Sequence, residues 1–481
     1  MTAPLDRSDP SEFRALGHEL IDLLADHLEH VAAAPDDAPV GPKRSPVEQR
    51  ARWQESDTGD DTDIRELWRR VLADAHWLHH RRSVGHQVPP PLPVTALTEL
   101  LATFLNNSAA IYEMGPVATA VEERVVRWMG ERLGFGTGHG GLLTSGGSLG
   151  NLTALLAMRQ VQLGRDGGRD PWVDGARDGE RPAVLVGGQT HYCVQRAIQV
   201  LGWGSGGAVQ VPVDARHRLD AAALPTALER ARRDGWRVLG VVASACSTST
   251  GAIDPLQDVA TFCAEHGLWF HVDGAHGASF VLSDRERGKL AGIERADSVV
   301  WDAHKTLLCP ALVTGVLFRD RRHADASFAP RAEYLFADDD DENASLDLGR
   351  RTLECTKPAM GLRVLAVLAT LGEDGLARYL ERTVDVVAAF ATAIDAHPDF
   401  ELLHAPDANI VCFRHRPAWG PAPGPELDAW QERFRRRVVD GGRHYITRTR
   451  LGGSTWLRCT VLHPETTVDD LVELLGTDLD R

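Results

Sequence analysis

The chain has 481 residues, 43% hydrophobic and 25% charged, with 45 Gly and 26 Pro, which is the make-up of a globular enzyme rather than a disordered chain. Its 52 Lys and Arg stand against 68 Asp and Glu, a formal charge of −16, which argues against nucleic acid and anionic membranes, both held by clustered cations. The length predicts one large domain with smaller terminal additions, or two comparable ones.

Residues 1–10 lack the basic-then-apolar pattern of a secretory signal. No stretch approaches the roughly 20 apolar residues that span a bilayer. The expected setting is therefore cytoplasmic, and the N-x-S/T triplets at Asn106, Asn151 and Asn343 are chance matches. Seven scattered cysteines (Cys193, Cys246, Cys263, Cys309, Cys355, Cys412 and Cys459) contain no C-x-x-C pair and predict reduced, mostly buried thiols.

Within residues 11–33, Leu16, Leu20, Ile21, Leu24 and Leu28 recur at spacings of three and four, the pattern of an amphipathic helix. A Pro- and Asp-rich break follows over 34–46, then a second helical stretch around Ile64–Leu78. This segment, roughly 1–80, is expected to pack its apolar face on another subunit. His76, His79 and His80 have helical spacing but no carboxylate or thiol partner, so no metal is expected there. The glycines at 134–141 precede a phosphate-type turn and do not form a strand-anchored dinucleotide fingerprint.

Leu143-Thr-Ser-Gly-Gly-Ser-Leu-Gly-Asn151 runs straight into a helical pattern. Unpaired N–H groups and the helix dipole at such a start receive a phosphate without Lys or Arg; the plainer reading is a Gly-rich turn capped by Ser148 or Asn151. From Ala183 the pattern becomes regular. Apolar runs at 183–186, 238–243, 268–272 and 313–318 alternate with helical stretches at 193–201, 222–233 and 255–266. Alternation of this kind predicts a largely parallel sheet covered on both faces, with ligands beyond the carboxyl ends of its strands.

Three further features fall at strand ends. His191, at a strand-to-helix turn, offers a ring that stacks on a flat ligand, although a lone His is more often structural. Asp273, closing Trp269-Phe-His-Val-Asp, is costly to bury unless something cationic meets it, and a protonated pyridine nitrogen is such a partner; otherwise it caps a turn. Lys305, in Trp301-Asp-Ala-His-Lys, sits in apolar sequence, where burial should lower its pKa towards that of an imine-forming amine; the bland reading is a snorkelling surface Lys. The last hundred or so residues, with a long helix near 376–397 and strands near Ile410 and Trp456, read as a smaller α+β domain. The expected division is 1–80, a helical dimer-packing segment; 81–375, the large domain; and 376–481, the small one.

Taken in order, Thr144-Ser-Gly-Gly-Ser148, His271-Val-Asp-Gly-Ala-His276 and His304-Lys305 resemble the group II pyridoxal-phosphate-dependent decarboxylases of glutamate, aromatic amino acids, cysteine sulfinate and diaminobutyrate, from about His79 to the C-terminus. The resemblance implies fold type I, with a seven-stranded sheet and pyridoxal 5′-phosphate as an imine on Lys305. It also implies Asp273 on the ring nitrogen, His191 stacked on the ring, Thr248 beside it, and Gly147, Ser148 and His304 around the phosphate. Arg458 matches an arginine that meets a substrate carboxylate. Gly349 approaches the phosphate of a neighbouring subunit, since family sites lie at a homodimer interface. The reaction implied is loss of CO2 from an amino acid to give the amine.

Three departures stand out. Asp302 replaces a common Asn three residues before the lysine; an anion there repels the phosphate unless neutralised or turned aside, so Asp302 is left out of the contacts. Thr306 replaces a bulky residue, and the loop 336–345, rich in Asp, lacks the tyrosine that many relatives use for reprotonation, with Tyr334 just upstream. That loss opens an alternative, decarboxylation-dependent oxidative deamination to an aldehyde; a cofactor-binding relative without turnover is another, and an aminotransferase or carbon–carbon lyase a third. The likeness places His86, Gln87 and Asn107 at the substrate, and this polar set favours a small polar amino acid: glutamate, aspartate, cysteine sulfinate or 2,4-diaminobutyrate. Glu113 is left open between a cationic substrate and a structural ion pair.

Overall fold

The computed structural model describes residues 9–33, 38–42, 44–54, 63–165, 169–328, 346–477 and 479. Seven strands, β1 (Gly140–Thr144), β2 (Pro182–Gly187), β3 (Ala208–Val211), β4 (Arg237–Ser244), β5 (Trp269–Asp273), β6 (Ser298–Asp302) and β7 (Thr314–Phe318), form one sheet in the order β1-β7-β6-β5-β4-β2-β3. β3, β2, β4, β5 and β6 pair in parallel, and β7 runs antiparallel to both β6 and β1. The four apolar runs expected as strands are β2, β4, β5 and β7.

They read as continuous apolar sequence because helices bury both faces. In β5, Phe270 and Val272 enter one core layer and Trp269 the other. Helices Gly147–Gly164 and Tyr192–Val200 cover the Trp269 side; helices Pro116–Arg132, Leu224–Arg233 and Leu256–His266 cover the opposite one.

The C-terminal part holds a second, antiparallel sheet of β8 (Phe400–Leu402), β9 (Ile410–His415), β10 (Thr447–Leu451) and β11 (Ser454–Thr460), ordered β10-β11-β9-β8. Helix Pro425–Gly441 packs Phe434 and Val438 into its core. The helix expected near 376–397 is the second half of a longer element, Gly361–Ala396, broken at Gly372 (φ 63°). Its first half sends Val364 and Val367 into the core of the large sheet. Val84 lies in the core of the small sheet, where its carbonyl accepts from Thr460 N at 2.8 Å.

Helix Pro10–Ala32 is capped by Asp9, whose carboxylate accepts from Ser11 N, and buries only Val31. The second N-terminal helix is Ile64–Asp74, shorter than expected, and a further helix, Pro46–Gln54, lies within and beyond the break. The ring nitrogens of His76, His79 and His80 meet Ser83 Oγ, Pro91 O and Arg82 N respectively. Among the described residues all seven cysteines are free, and no helix is long and apolar enough to cross a membrane.

Candidate active site

The carboxyl ends of β4, β5 and β6 open on a cavity of about 320 Å³ that is also lined by the start of helix Gly147–Gly164. The turn into that helix needs Gly146 at φ 100°, a conformation a Cβ would strain, and no side chain caps it. Its leading N–H groups therefore face the cavity as an anion site. Asn151 is not the cap: it lies a turn further on, and its Nδ2 donates to Gly147 O at 2.8 Å.

Asn151 also begins a buried chain of hydrogen bonds. Its Oδ1 is 2.9 Å from His271 Nε2, His271 Nδ1 is 2.8 Å from Ser298 Oγ, and Trp269 Nε1 donates to that same oxygen at 2.9 Å. An amide oxygen only accepts, so His271 donates through Nε2 and accepts the Ser298 hydroxyl at Nδ1. Burial pushes His271 down to about 4, so the ring stays neutral. The chain ties the first turn of the helix to β5, which carries Asp273. Sequence reasoning missed it because nothing links positions 151, 271 and 298 before folding; the one signal was a histidine inside an apolar strand.

Asp273 closes β5, is 8% exposed, and accepts from Ala275 N at 3.3 Å. Lys305 lies on the short helix Ala303–Thr306 that follows β6, with its Nζ 3.1 Å from Asp302 Oδ2. The expectation of a lowered lysine pKa is corrected here. Burial pulls it down, but the carboxylates of Asp302 and Asp273 outweigh burial and raise it. His191 is the N-cap residue of helix Tyr192–Val200; burial lowers its pKa against the pull of Asp273. His304 Nδ1 meets the backbone of Val313 at 3.0 Å, and its Nε2 is 3.7 Å from Asp302. Asp302 is not turned aside: it points at Lys305 and at Gly147.

Gly147, Ser148, His191, Thr248, Asp273, His304, Lys305 and Gln87 all line this cavity. Arg458 adjoins it, donating to Thr248 O. Two residues expected at the substrate, His86 and Asn107, are not brought in, and Gly349, expected at a neighbouring subunit's phosphate, does not line this cavity either. His86 packs its ring against Tyr445, with centroids 5.8 Å apart. Asn107 is exposed, its amide donating to Leu105 O at 3.2 Å, and Gly349 N is spent on Ala110 O at 2.8 Å. Thr306 is buried against Ser279 Oγ at 2.5 Å. Glu113 is exposed. Tyr334 and the loop 336–345 lie outside the described residues.

His276, quoted only as the end of a motif, also lines the cavity. Its Nε2 is 2.7 Å from Asn409 Oδ1, and burial pushes it down to about 3. An uncapped helix start, a lysine amine, a buried strand-end carboxylate and a half-buried imidazole are the groups a phosphorylated pyridine aldehyde requires, so the residues present fit pyridoxal 5′-phosphate.

Residues 62–416 match the pyridoxal-dependent decarboxylase conserved domain. The chain is 26% identical over 468 residues to an aromatic-L-amino-acid decarboxylase of Bacillus atrophaeus, covering 96% of this chain and 94% of that one. It is 29% identical over 467 residues to an L-2,4-diaminobutyrate decarboxylase of Rhizobium meliloti (96% and 90%). The crystal structure of mouse CSAD superposes with a TM-score of 0.87 at 26% identity, covering 97% and 98% of the two chains. With its mostly parallel sheet of fold type I, the chain belongs to the pyridoxal-dependent decarboxylases and is a pyridoxal-phosphate-dependent amino acid carboxy-lyase.

Proposed function

We propose that the substrate is a small polar L-amino acid, converted to its amine at this cavity. The observation that carries the reading is the cavity's polar wall. Leu312 is the one large apolar side chain among the described residues lining it. Gln87, 9% exposed, presents a buried Nε2 with no partner among those residues. A pocket with an unpaired donor favours a substrate that accepts from it and rejects a purely apolar one. Named relatives act on L-2,4-diaminobutyrate and L-aspartate, both small and polar.

The bound cofactor supplies an electron sink for the pair that CO2 leaves behind. In this reading Lys305 holds the cofactor, Asp273 keeps a proton on the ring nitrogen, His191 packs on the ring, and Gly147, Ser148 and His304 seat the phosphate. Arg458 and Gln87 orient the substrate. A homodimer completes the site, with Asn107 and Gly349 near the contact between copies.

The test is CO2 release from the cofactor-loaded protein across a panel of amino acids, with products identified by mass spectrometry. The expected result is CO2 with the matching amine from a small polar substrate; turnover confined to aromatic substrates overturns the reading. The absence of Tyr from 336–345 supports a second reading, in which the amino acid, O2 and water give CO2, an aldehyde, ammonia and hydrogen peroxide. Amine as the sole product overturns that one.

A further inference from the structure

Asp302 ends β6 with a side chain 1% exposed, directly beneath the start of helix Gly147–Gly164. A Cβ built on Gly147 would lie 3.0 Å from Asp302 Oδ2 and 3.2 Å from Oδ1, so no side chain stands between the carboxylate and the helix start. Thr314 Oγ1 donates to Oδ1 at 2.5 Å and holds the carboxylate in place, while Oδ2 faces Lys305 Nζ at 3.1 Å and His304 Nε2 at 3.7 Å. Asp273 and His191 face the same space from β5 and from the start of helix Tyr192–Val200. Two carboxylates thus share the rim with a single lysine, and no arginine is among the described residues lining the cavity.

A helix N-terminus attracts an anion, and Asp302 already supplies one. A phosphate seated there brings further negative charge against a buried, immobile carboxylate, where screening by water is weak. Asp302 also holds the Lys305 ammonium. That amine must lose a proton to solvent before it bonds to the cofactor's aldehyde carbon, with water leaving as the C=N bond forms.

We propose that Asp302 weakens cofactor retention, by opposing the cofactor's phosphate at the start of helix Gly147–Gly164 and by holding Lys305 in an ion pair. The enzyme then exchanges its cofactor and runs at an occupancy set by cofactor supply. This inference rests on the seating of phosphate at Gly147 and Ser148, and of the imine at Lys305, given under Proposed function.

The test compares wild-type protein with Asp302→Asn, nearly the same in shape and still able to accept from Thr314. Dissociation constants are read from imine absorbance for pyridoxal 5′-phosphate and for pyridoxal, which has the aldehyde but no phosphate. The variant is expected to bind the phosphorylated cofactor about tenfold tighter, roughly 1.4 kcal/mol, and pyridoxal by a smaller factor. Asp302→Ser serves if the amide does not fold, with the same expectation. Unchanged or weaker retention of the phosphorylated cofactor overturns the inference, and so does equal tightening of both ligands, which leaves the phosphate no part. Imine absorbance surviving in Lys305→Ala would instead overturn the site reading beneath it.

Discussion

At Lys305, burial and charge pull in opposite directions, and charge wins. The amine lies 3.1 Å from Asp302 and feels Asp273, so in this state it is held as an ammonium despite its burial. Its neighbours set how ready it is to react, and a bound pyridine ring that engages Asp273 would remove one of the two carboxylates holding the charge. Asp273 has little else to satisfy it, one N–H at 3.3 Å, which is why a cationic ring nitrogen suits it. Asp273→Asn is therefore expected to keep the imine absorbance of the loaded enzyme while turnover falls by about 10²–10³-fold, the usual effect of removing one preorganised electrostatic group. Lys305→Ala is expected to lose both. Single-turnover rates and absorbance spectra check the pair; Asp273→Asn with wild-type rates would remove Asp273 from the chemistry. Each candidate was legible from its place at a strand end, but the direction of the lysine's pKa shift was not, since it comes from partners brought together by the fold.

Two helices show what an element decides. Helix Gly147–Gly164 was readable from its glycines, and its anion-binding end follows from backbone geometry alone. Its attachment to β5 through Asn151 and His271 joins positions far apart in sequence and needed the fold. Helix Pro93–Leu105 shows the opposite case. Leu97, Leu101, Phe104 and Leu105 share a face at helical spacing and are 50%, 55%, 68% and 53% exposed. Met114, Val117 and the cavity residue Leu312 are also exposed. A single subunit rarely leaves an apolar helix face of this size to water. We propose that the homodimer covers it together with the first helix, whose Phe13 ring lies 5.5 Å from that of Phe104. Replacing Leu101 and Phe104 together by Asp is expected to shift the protein from dimer to monomer in sedimentation analysis and to reduce cofactor retention. A dimer that survives the double change would place the interface elsewhere.

For the whole molecule, buried imidazoles dominate the acid side of the stability profile. His80, His271, His276, His444 and His463 are pushed down to about 4, 4, 3, 4 and 4, all by burial first. A histidine with a lowered folded pKa contributes stability above its unfolded value of about 6.5, which is lost as pH falls towards the folded value, because only the unfolded chain takes the proton. Each removes at most about 1.4 kcal/mol per pH unit over that window. Asp254 opposes them: burial raises it to about 6, so it adds stability as pH falls from there towards 3.8. Five groups against one predict that the urea midpoint drops markedly from pH 7 to pH 5. A flat profile would mean that these rings are not buried neutral in solution. By itself the sequence determined four of the seven strands of the large sheet, β2, β4, β5 and β7, with the helices between them, the strand-end positions of Asp273 and Lys305, and the helix start at Gly147, because periodic burial and backbone hydrogen bonding are local. Only the tertiary structure decided that Asp302 meets both Gly147 and Lys305, that Asn151 reaches His271, and that His276 meets Asn409. It likewise set Asn107 and Gly349 outside their own chain's cavity. Charge and hydrogen bonding act through space over a few ångströms, and only the packed chain brings those positions within that range.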